Sequence, residues 1–586
     1  MRDLNWLRKL LCLALVACTV FTLGACQGPA TPAACTHSGG TATCKDKAVC
    51  EKCGEAYGEL AAHTYENGTC TVCGATEGGS GDGGNEGEGD GKPVPDSYAD
   101  GAPVKGGGAT IPEGSFALTA TKYDESAAEE IKANAFFRTA KRGEGKVFRV
   151  SDGQPVTVTR STAQTYDGEG SILIAPQGVL FQDCKDLVVR NLIIIGSVAL
   201  VNVDTIEMEN VEIVSTEAAL TMVEGCYSLR MNDCRMTGKS ALVLSADDSV
   251  ILNSYFAFTE KGIVDTSAEG TLVRNCILEG AGEAIRTKAS ESEFRSNTLT
   301  MGKTDTGIVV DSGVLNVLVA LNDITGAQSS VVVGNGKNVA VVLNRGVSVT
   351  AENNSNLYIC DNSLGGRITA NNNNYFLGDG NPFPADEWTH ATVQTGNKNH
   401  HGKNLMVVAY RPEGGAAEEL LPHIDKDLFV GMARKEYVRD TADEKPMGIA
   451  AYILDHCKTD DYIIIAPGAY ATESGMSFKK EHSNSTVYAY GVYMERQTSL
   501  AAMMSFNSAE NISFKGLTIG YKQQSCGQVY VLEKLGSNQL RVVTGAGMMT
   551  EFGNTTSKNY NVTGMGAQRM GTFYAYCDTG FNRILS

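Results

Sequence analysis

The stretch LVRNCILEG, Leu272 to Gly280, has the apolar residues of a buried strand with an Asn set in its middle. Asn is depleted in strands because its amide competes for backbone hydrogen bonds and favours turns. The intrusion repeats. Asn191, Asn210, Asn232, Asn253, Asn275, Asn297, Asn322, Asn344 and Asn362 stand in VVRNLII, EMENVEI, LRMNDCRM, VILNSYF, LVRNCIL, FRSNTLT, LVALNDIT, VVLNRGV and YICDNSL. Their intervals are 19, 22, 21, 22, 22, 25, 22 and 18 residues. Between them run second short strands: ALVNV, ALTMV, ALVLS, GIVDT, GIVVD and SVVVG.

A period near twenty-two residues with two or three short strands in each repeat is the pattern of a solenoid. A leucine-rich repeat shares that period but needs a regular Leu scaffold. Here short polar connections join strands rich in Val and Ile. That predicts an all-β fold, a parallel β-helix whose coils stack at about 4.8 Å. Equivalent Asn side chains then sit above one another at a bend in a hydrogen-bonded ladder. Asn275 is expected to be a turn residue, buried in such a stack.

These repeats resemble the right-handed parallel β-helix proteins, the pectate-lyase-like superfamily of lyases, polygalacturonases and related surface proteins. The resemblance covers roughly residues 125–385 and speaks to fold, because the motif describes coil geometry and not a site. Ahead of the coils, DESAAEEIKANAFFRTA (Asp124 to Ala140) reads as an amphipathic helix with carboxylates in its first turns. It is expected to plug the open end of the first coil. The solenoid domain is assigned to 113–385, cap included.

After a connector (386–445), residues 446–586 read as the start of a second β-helix that ends before further coils. A helical stretch (Met447 to Cys457), an apolar strand (Tyr462 to Ala466) and a Pro467-Gly468 turn resemble the opening of a sugar-active β-helix. STVYAYGVYMER and AENISFKGLTIGY supply the next strands, and CGQVYVLEKLGSNQLRVVTGAG suits a hairpin-built β-insertion. So few coils cannot bury a solenoid core alone. The expectation is either a truncated chain or a unit docked on the first helix.

At the N-terminus, Arg2, Arg8 and Lys9 precede an apolar run from Leu10 to Leu23, the pattern of an export signal (1–25). LGAC, Leu23 to Cys26, resembles the bacterial lipobox, which implies cleavage before Cys26 and a lipid anchor on it. The implied location is the extracellular face of the bacterial cell membrane, held by lipid alone. Residues 26–75 form a Cys-rich module in which Cys50, Cys53, Cys70 and Cys73 make two CxxC pairs. That spacing suits a zinc ribbon; Cys35, His37, Cys44 and His63 offer ligands for a second site. Disulfides are the competing chemistry in an exported chain. The module also resembles Cys-rich units of Gram-positive surface proteins. Residues 76–112, rich in Gly and acid, read as a flexible tether.

The net charge of -18 argues against a nucleic-acid partner, which needs a basic face. Sugar hydrolysis needs paired carboxylates, and lyase chemistry a base beside a neutralised carboxylate. Aligning the Ala-Leu and Gly-Ile strands puts the candidate catalytic residues Asp265, Arg286, Lys288 and Asp311 at neighbouring positions in three successive coils. Asp204, Glu224, Asp247 and Asp248 lie near equivalent strand ends in the preceding coils. The competing reading is ordinary solvated strand ends, paired across coils. Trp is confined to Trp6 and Trp388, which weakens an aromatic sugar platform; Tyr358, Tyr375 and the Tyr-rich 488–493 stretch are substitutes. His400-His401 lies in a polar loop. Two functions follow as expectations. One is a glycoside hydrolase or polysaccharide lyase, and the other a noncatalytic adhesin or glycan-binding scaffold; the partner in both is a polysaccharide or glycan.

Overall fold

The computed structural model describes residues 107–223, 225–373, 429–439, 446–497 and 503–522, with short segments at 38–41 and 48–52. It also gives the course of several isolated strands, the last of them ending at residue 544. The chain divides into two compact units, Met1–Gly89 and Asp90–Ser586.

In the first unit, Ala48–Val49 pairs antiparallel with Ala56–Tyr57, and Tyr65–Glu66 with Thr69–Cys70. The second unit is a parallel β-solenoid of about 15 turns. Pairing is parallel throughout its repeats: Leu187–Ile195 lies beside Thr205–Val214, and Lys337–Val342 beside Ser355–Cys360. Alternate residues point inward. One interior column runs Val189, Met208, Met231, Ile251, Val273, Phe294, Val319, Val341 and Ile359, all within one continuous core. Burying each such side chain is worth roughly 1.5–3 kcal/mol.

The Asn repeat resolves into two ladders one residue apart. Asn191, Asn210, Asn253 and Asn275 occupy the left-handed corner (φ 49 to 57°) that Asn tolerates better than other residues. There the amides form an outer ladder: Asn210 Nδ2 donates to Asn191 (3.2 Å) and Asn275 Nδ2 to Asn253 (2.6 Å). Asn275 is therefore half-buried at a corner, where the sequence pattern had suggested burial. From the next coil onward the corner passes to Ser296, Leu321, Leu343 and Asp361. The Asn moves one position on, and there it points inward. Asn297, Asn322, Asn344 and Asn362 are buried; the Oδ1 of each of the last three accepts both the Nδ2 and the backbone N–H of the preceding Asn at 2.9–3.1 Å, and Asn297 Oδ1 accepts the Cys276 N–H at 2.9 Å. In earlier coils Cys234, Ser254 and Cys276 fill that inward position. Burial pushes both thiols up to about 12, so they stay neutral and act as small core residues.

The expected helix from Asp124 to Ala140 is not formed. Asp124 instead caps a single 3-10 turn, Glu125–Ala127, followed by the strand Glu129–Ile131 and turns at 133–139. The apolar residues that suggested a helical face serve as the plug. Phe136 and Phe137 meet edge-on (4.9 Å between ring centres) and pack on Phe148, Tyr166 and Phe181 of the first coils.

Residues 107–121 form a strap along the outer corner, so ordered chain begins before the boundary drawn at 112. The strap crosses the coils against their order. Gly108 N donates to Leu321 O, Ala109 N to Thr298 Oγ1 and Thr110 N to Asn275 Oδ1; Phe116 and Ala117 N then donate to Asp233, and Thr121 N to Glu212.

The second helical region begins with the α-helix Ile449–His456 and continues through parallel strands, among them Gly468–Thr472, Ser485–Arg496 and Ile512–Tyr521. The expected hairpin follows as antiparallel strands Val529–Gly536 and Gln539–Thr544. The unit is docked on the solenoid. In Leu315–Ala320, Lys337–Val342 and Ser355–Cys360 both faces are apolar, the pattern of a strand covered on both sides. Leu318, Ala320, Ala340, Val342, Tyr358 and Cys360 point outward against Ile464, Ala466, Tyr488 and Tyr490. Asn338 donates to Gly491 O (2.9 Å), while Tyr490 OH (2.8 Å) and Lys515 Nζ (2.7 Å) meet Asp361.

Candidate functional site

The sheet that carries the candidate residues presents two outward columns. One runs Ser240, Lys261, Glu283, Thr306 and Ser329; the other runs Val243, Val264, Arg286, Val309, Val332 and Thr350. Most of this surface is small or aliphatic. Its charged centre is Arg286, three residues after Glu283 on the strand Glu283–Thr287 and one coil from Asp311.

Arg286 grips Glu283 with two parallel bonds, Nε to Oε2 at 2.9 Å and Nη2 to Oε1 at 2.7 Å. Its Nη1 reaches Asp311 Oδ1 at 2.5 Å. The planar guanidinium fork suits this bidentate geometry in a way Lys could not. The Arg286 bond holds the Glu283 carboxyl below its usual range against the opposing effect of burial, with the charges of Arg286 and Lys261 assisting. The same contact raises Arg286. Both effects disqualify Glu283 as a general acid, which needs a raised pKa, and keep Arg286 charged.

Lys288 is exposed and follows the strand's last residue, two positions beyond Arg286. Asp265 does not join them. Its strand partner is Thr287, so it shares that residue's inward direction and is 0 % exposed. It accepts from Ser267 N (3.1 Å), Ser267 Oγ (2.5 Å) and Thr287 Oγ1 (2.9 Å). Burial raises its carboxyl, opposed by those hydrogen bonds. A polymer outside the coils cannot reach it. Of the expected four, Arg286 and Asp311 meet at the surface, Lys288 is exposed, and Asp265 is interior. Aligning strands by their leading residues missed the one-residue step that turns a side chain to the opposite face.

The other acids are dispersed. Asp204 pairs with Lys185 (2.9 Å), and Asp247 accepts the Ala268 (2.7 Å) and Glu269 (3.2 Å) amides. Asp248 lies 3.5 Å from Tyr227 OH. Glu224 falls outside the described residues. Glu283 completes the clamp and was missed in the sequence, where the i, i+3 spacing from Arg286 within EAIR was its only signal.

In the Cys-rich module the Cys50 thiol is buried and accepts the Ser38 N–H at 3.5 Å. Cys26, Cys53 and Cys73 lie outside the described residues, as do His400 and His401, and only the backbone of Cys70 is described, within Thr69–Cys70. Among the described residues no three His, Cys, Asp or Glu side chains converge as a metal-holding group, and no helix is long and apolar enough to cross a membrane. Comparison of the chain with known protein families, curated proteins and solved structures gives no match.

Proposed function

We propose that this protein is a lipid-anchored bacterial surface protein of the pectate-lyase-like β-helix superfamily that binds polysaccharide without cleaving it. The observation that carries the noncatalytic reading is the Arg286 clamp. Both carboxylates on the outward face are spent on one guanidinium, and the only other acid of the expected group is interior. Glu283, held below its usual range by Arg286, is poorly suited to protonate a leaving oxygen. What the face offers is a rigid row of hydroxyls, aliphatic carbons and a fixed charge array with a coil-to-coil repeat of about 4.8 Å. Extended sugar chains can lie along such a row, with hydroxyls donating to the outer lone pairs of Glu283 and Asp311. In this reading the lipobox anchors the chain at Cys26, the Cys-rich module and tether lift the solenoid off the membrane, and zinc at Cys50, Cys53, Cys70 and Cys73 staples the module.

The test is retention on an array of host and plant glycans by the full chain and by Arg286→Gln and Asp311→Asn. Breaking a bidentate contact is expected to weaken retention by about tenfold. Unchanged retention in both variants would remove this face from the function.

A further inference from the structure

Where the docked unit meets the solenoid, an amine, a carboxylate and an amide converge. Lys435, on the strand Arg434–Lys435 of the docked unit, forms an ion pair with Glu291 Oε2 of the solenoid. The other oxygen of that carboxylate, Oε1, accepts the Asn316 Nδ2–H at 2.5 Å. Asn316 Oδ1 in turn accepts from Asn338 Nδ2 at 2.6 Å, and Asn338 also donates to Gly491 O at 2.9 Å. One carboxylate therefore holds a lysine amine and an asparagine amide side by side, and a fixed N–H points at the amide oxygen.

The surroundings keep this contact in place. Asn316 and Asn338 are buried, and Glu291 Oε2 is shielded from solvent. Lys435 Nζ lies 5.3 Å from the centre of the buried Tyr470 ring and donates to Pro467 O at 3.2 Å. Gly468 leaves room for it, since a Cβ there would stand 2.9 Å from both Cε and Nζ. Glu291, Asn316 and Asn338 all occupy left-handed corners (φ 52, 56 and 58°). Asn suits that conformation better than Glu does, so Glu291 stands where a continued ladder would favour Asn. The nearby Glu293 is engaged by Arg295 at 3.5 Å. Burial pulls the Lys435 ammonium down, but Tyr470, Glu291 and Glu293 outweigh it and hold the group above the usual Lys range. At rest the pair is ionic, and the amine becomes a nucleophile only when its proton moves to Glu291.

We propose that Lys435 and Asn316 become joined by a side-chain amide bond, a cross-link that the chain forms by itself between the docked unit and the solenoid. Lys435 gives a proton to Glu291 Oε2, and the free amine attacks Asn316 Cγ. The electron pair of the C=O bond moves onto Oδ1, where the Asn338 N–H stabilises the oxyanion. Glu291 donates its proton to Nδ2, the Cγ–Nδ2 bond breaks with its electrons on nitrogen, and ammonia leaves. Glu291 then takes the extra proton from Nζ and passes it to the ammonia. The products are the Nζ–Cγ amide, ammonium and the original carboxylate, with no oxidant, reductant or cofactor consumed. Fixed neighbours replace a bimolecular encounter, so a reaction that occurs once in the life of the chain can be slow. The cross-link is separate from the Arg286 face and does not depend on the glycan reading.

The experiment is peptide mapping by mass spectrometry after the full chain is unfolded and digested with trypsin. Trypsin does not cut after an acylated lysine, so residues 435–439 should be recovered joined to residues 304–337. The joined species should be lighter than the two peptides together by one ammonia. Lys435→Arg keeps the ion pair without the nucleophile and should abolish the joined species. Glu291→Gln keeps an acceptor for Asn316 without the proton carrier and should deplete it by about a hundredfold. Cleavage after Lys435 in the unsubstituted chain, with 304–337 recovered at its own mass, would overturn the proposal, and that reading needs no variant to fold. A joined species of undiminished yield in Glu291→Gln would overturn it as well.

Discussion

Asn322 sits at the centre of the inner ladder, with its Nδ2 donating to Asn344 Oδ1 and Phe294 O and its Oδ1 accepting from Asn297. An apolar replacement leaves buried donors and acceptors on both neighbouring coils without partners. Asn322→Ala is expected to cost about 2–4 kcal/mol in urea unfolding, whereas Asn210→Ala on the half-buried outer ladder costs about 1 kcal/mol. Equal costs would mean that the inward ladder is not what holds these coils in register. Asp265 makes the opposite kind of prediction. Its folded pKa is raised, so the folded state holds a proton that the unfolded state has already lost as pH climbs above the ordinary Asp value. Stability from this residue is therefore greatest in acid and falls as pH rises through the unfolded and then the folded pKa. Asp265→Asn should remove that fall, seen as a flatter stability profile between acid and neutral pH; an unchanged profile would contradict the buried placement. Glu283 runs the other way. Its pKa is depressed, so clamp-dependent glycan retention should persist as pH falls through the ordinary Glu range and fail below it. The recurrence of Asn was legible in the sequence, but not its split into two ladders. The shift from Asn275 to Asn297 occurs by moving the residue one place after the corner, and a count of intervals cannot see which way a side chain points.

At the scale of elements, the docking of the second unit was written in three strands whose last four residues are all apolar. After their opening residues, LNVLVA, KNVAVV and SNLYIC lack the charged outer positions of earlier strands such as SLRMN, because their outer faces are covered. Val342→Arg places a charge in that covered layer. It should release the second unit, so that limited proteolysis cleaves around 446–522 while the solenoid core resists; a single unchanged cleavage pattern would contradict the packing. The strap is held mainly by its backbone amides. Asp233→Ala removes the acceptor of two of them, Phe116 N and Ala117 N, and should cost about 1–3 kcal/mol. Sequence patterning could not find the strap, whose residues carry no period and whose partners lie far along the chain, Ala109 and Thr298 being 189 positions apart and Gly108 and Leu321 farther still. The misread cap has a related cause. Phe136 and Phe137 mark a buried segment, but covering the open end of a coil needs rings turned inward, and turns at 133–139 deliver them as well as a helix would.

Across the described residues between 107 and 522, a fold stabilised by nearest neighbours is cross-linked along its length. The strap joins coils from Glu212 to Leu321, and the docked unit bridges Ser249, Gly270, Asn338 and Asp361. Isolated solenoids unfold piecewise; these ties should make the solenoid and the docked unit melt as one transition. Fold class was legible because it follows from a repeat, which every coil restates. The candidate site was only partly legible. Arg286 and Asp311 meet at the surface and Lys288 is exposed, whereas Asp265 faces the interior and Glu283 was overlooked. The most direct measurement follows bound chain, new reducing ends and unsaturated uronates together as the full protein is incubated with a panel of polysaccharides. Retention of at least one polymer with no new ends is the predicted result. New ends that vanish in Lys288→Ala or Asp311→Asn would contradict it and make the Arg286 face a catalytic one.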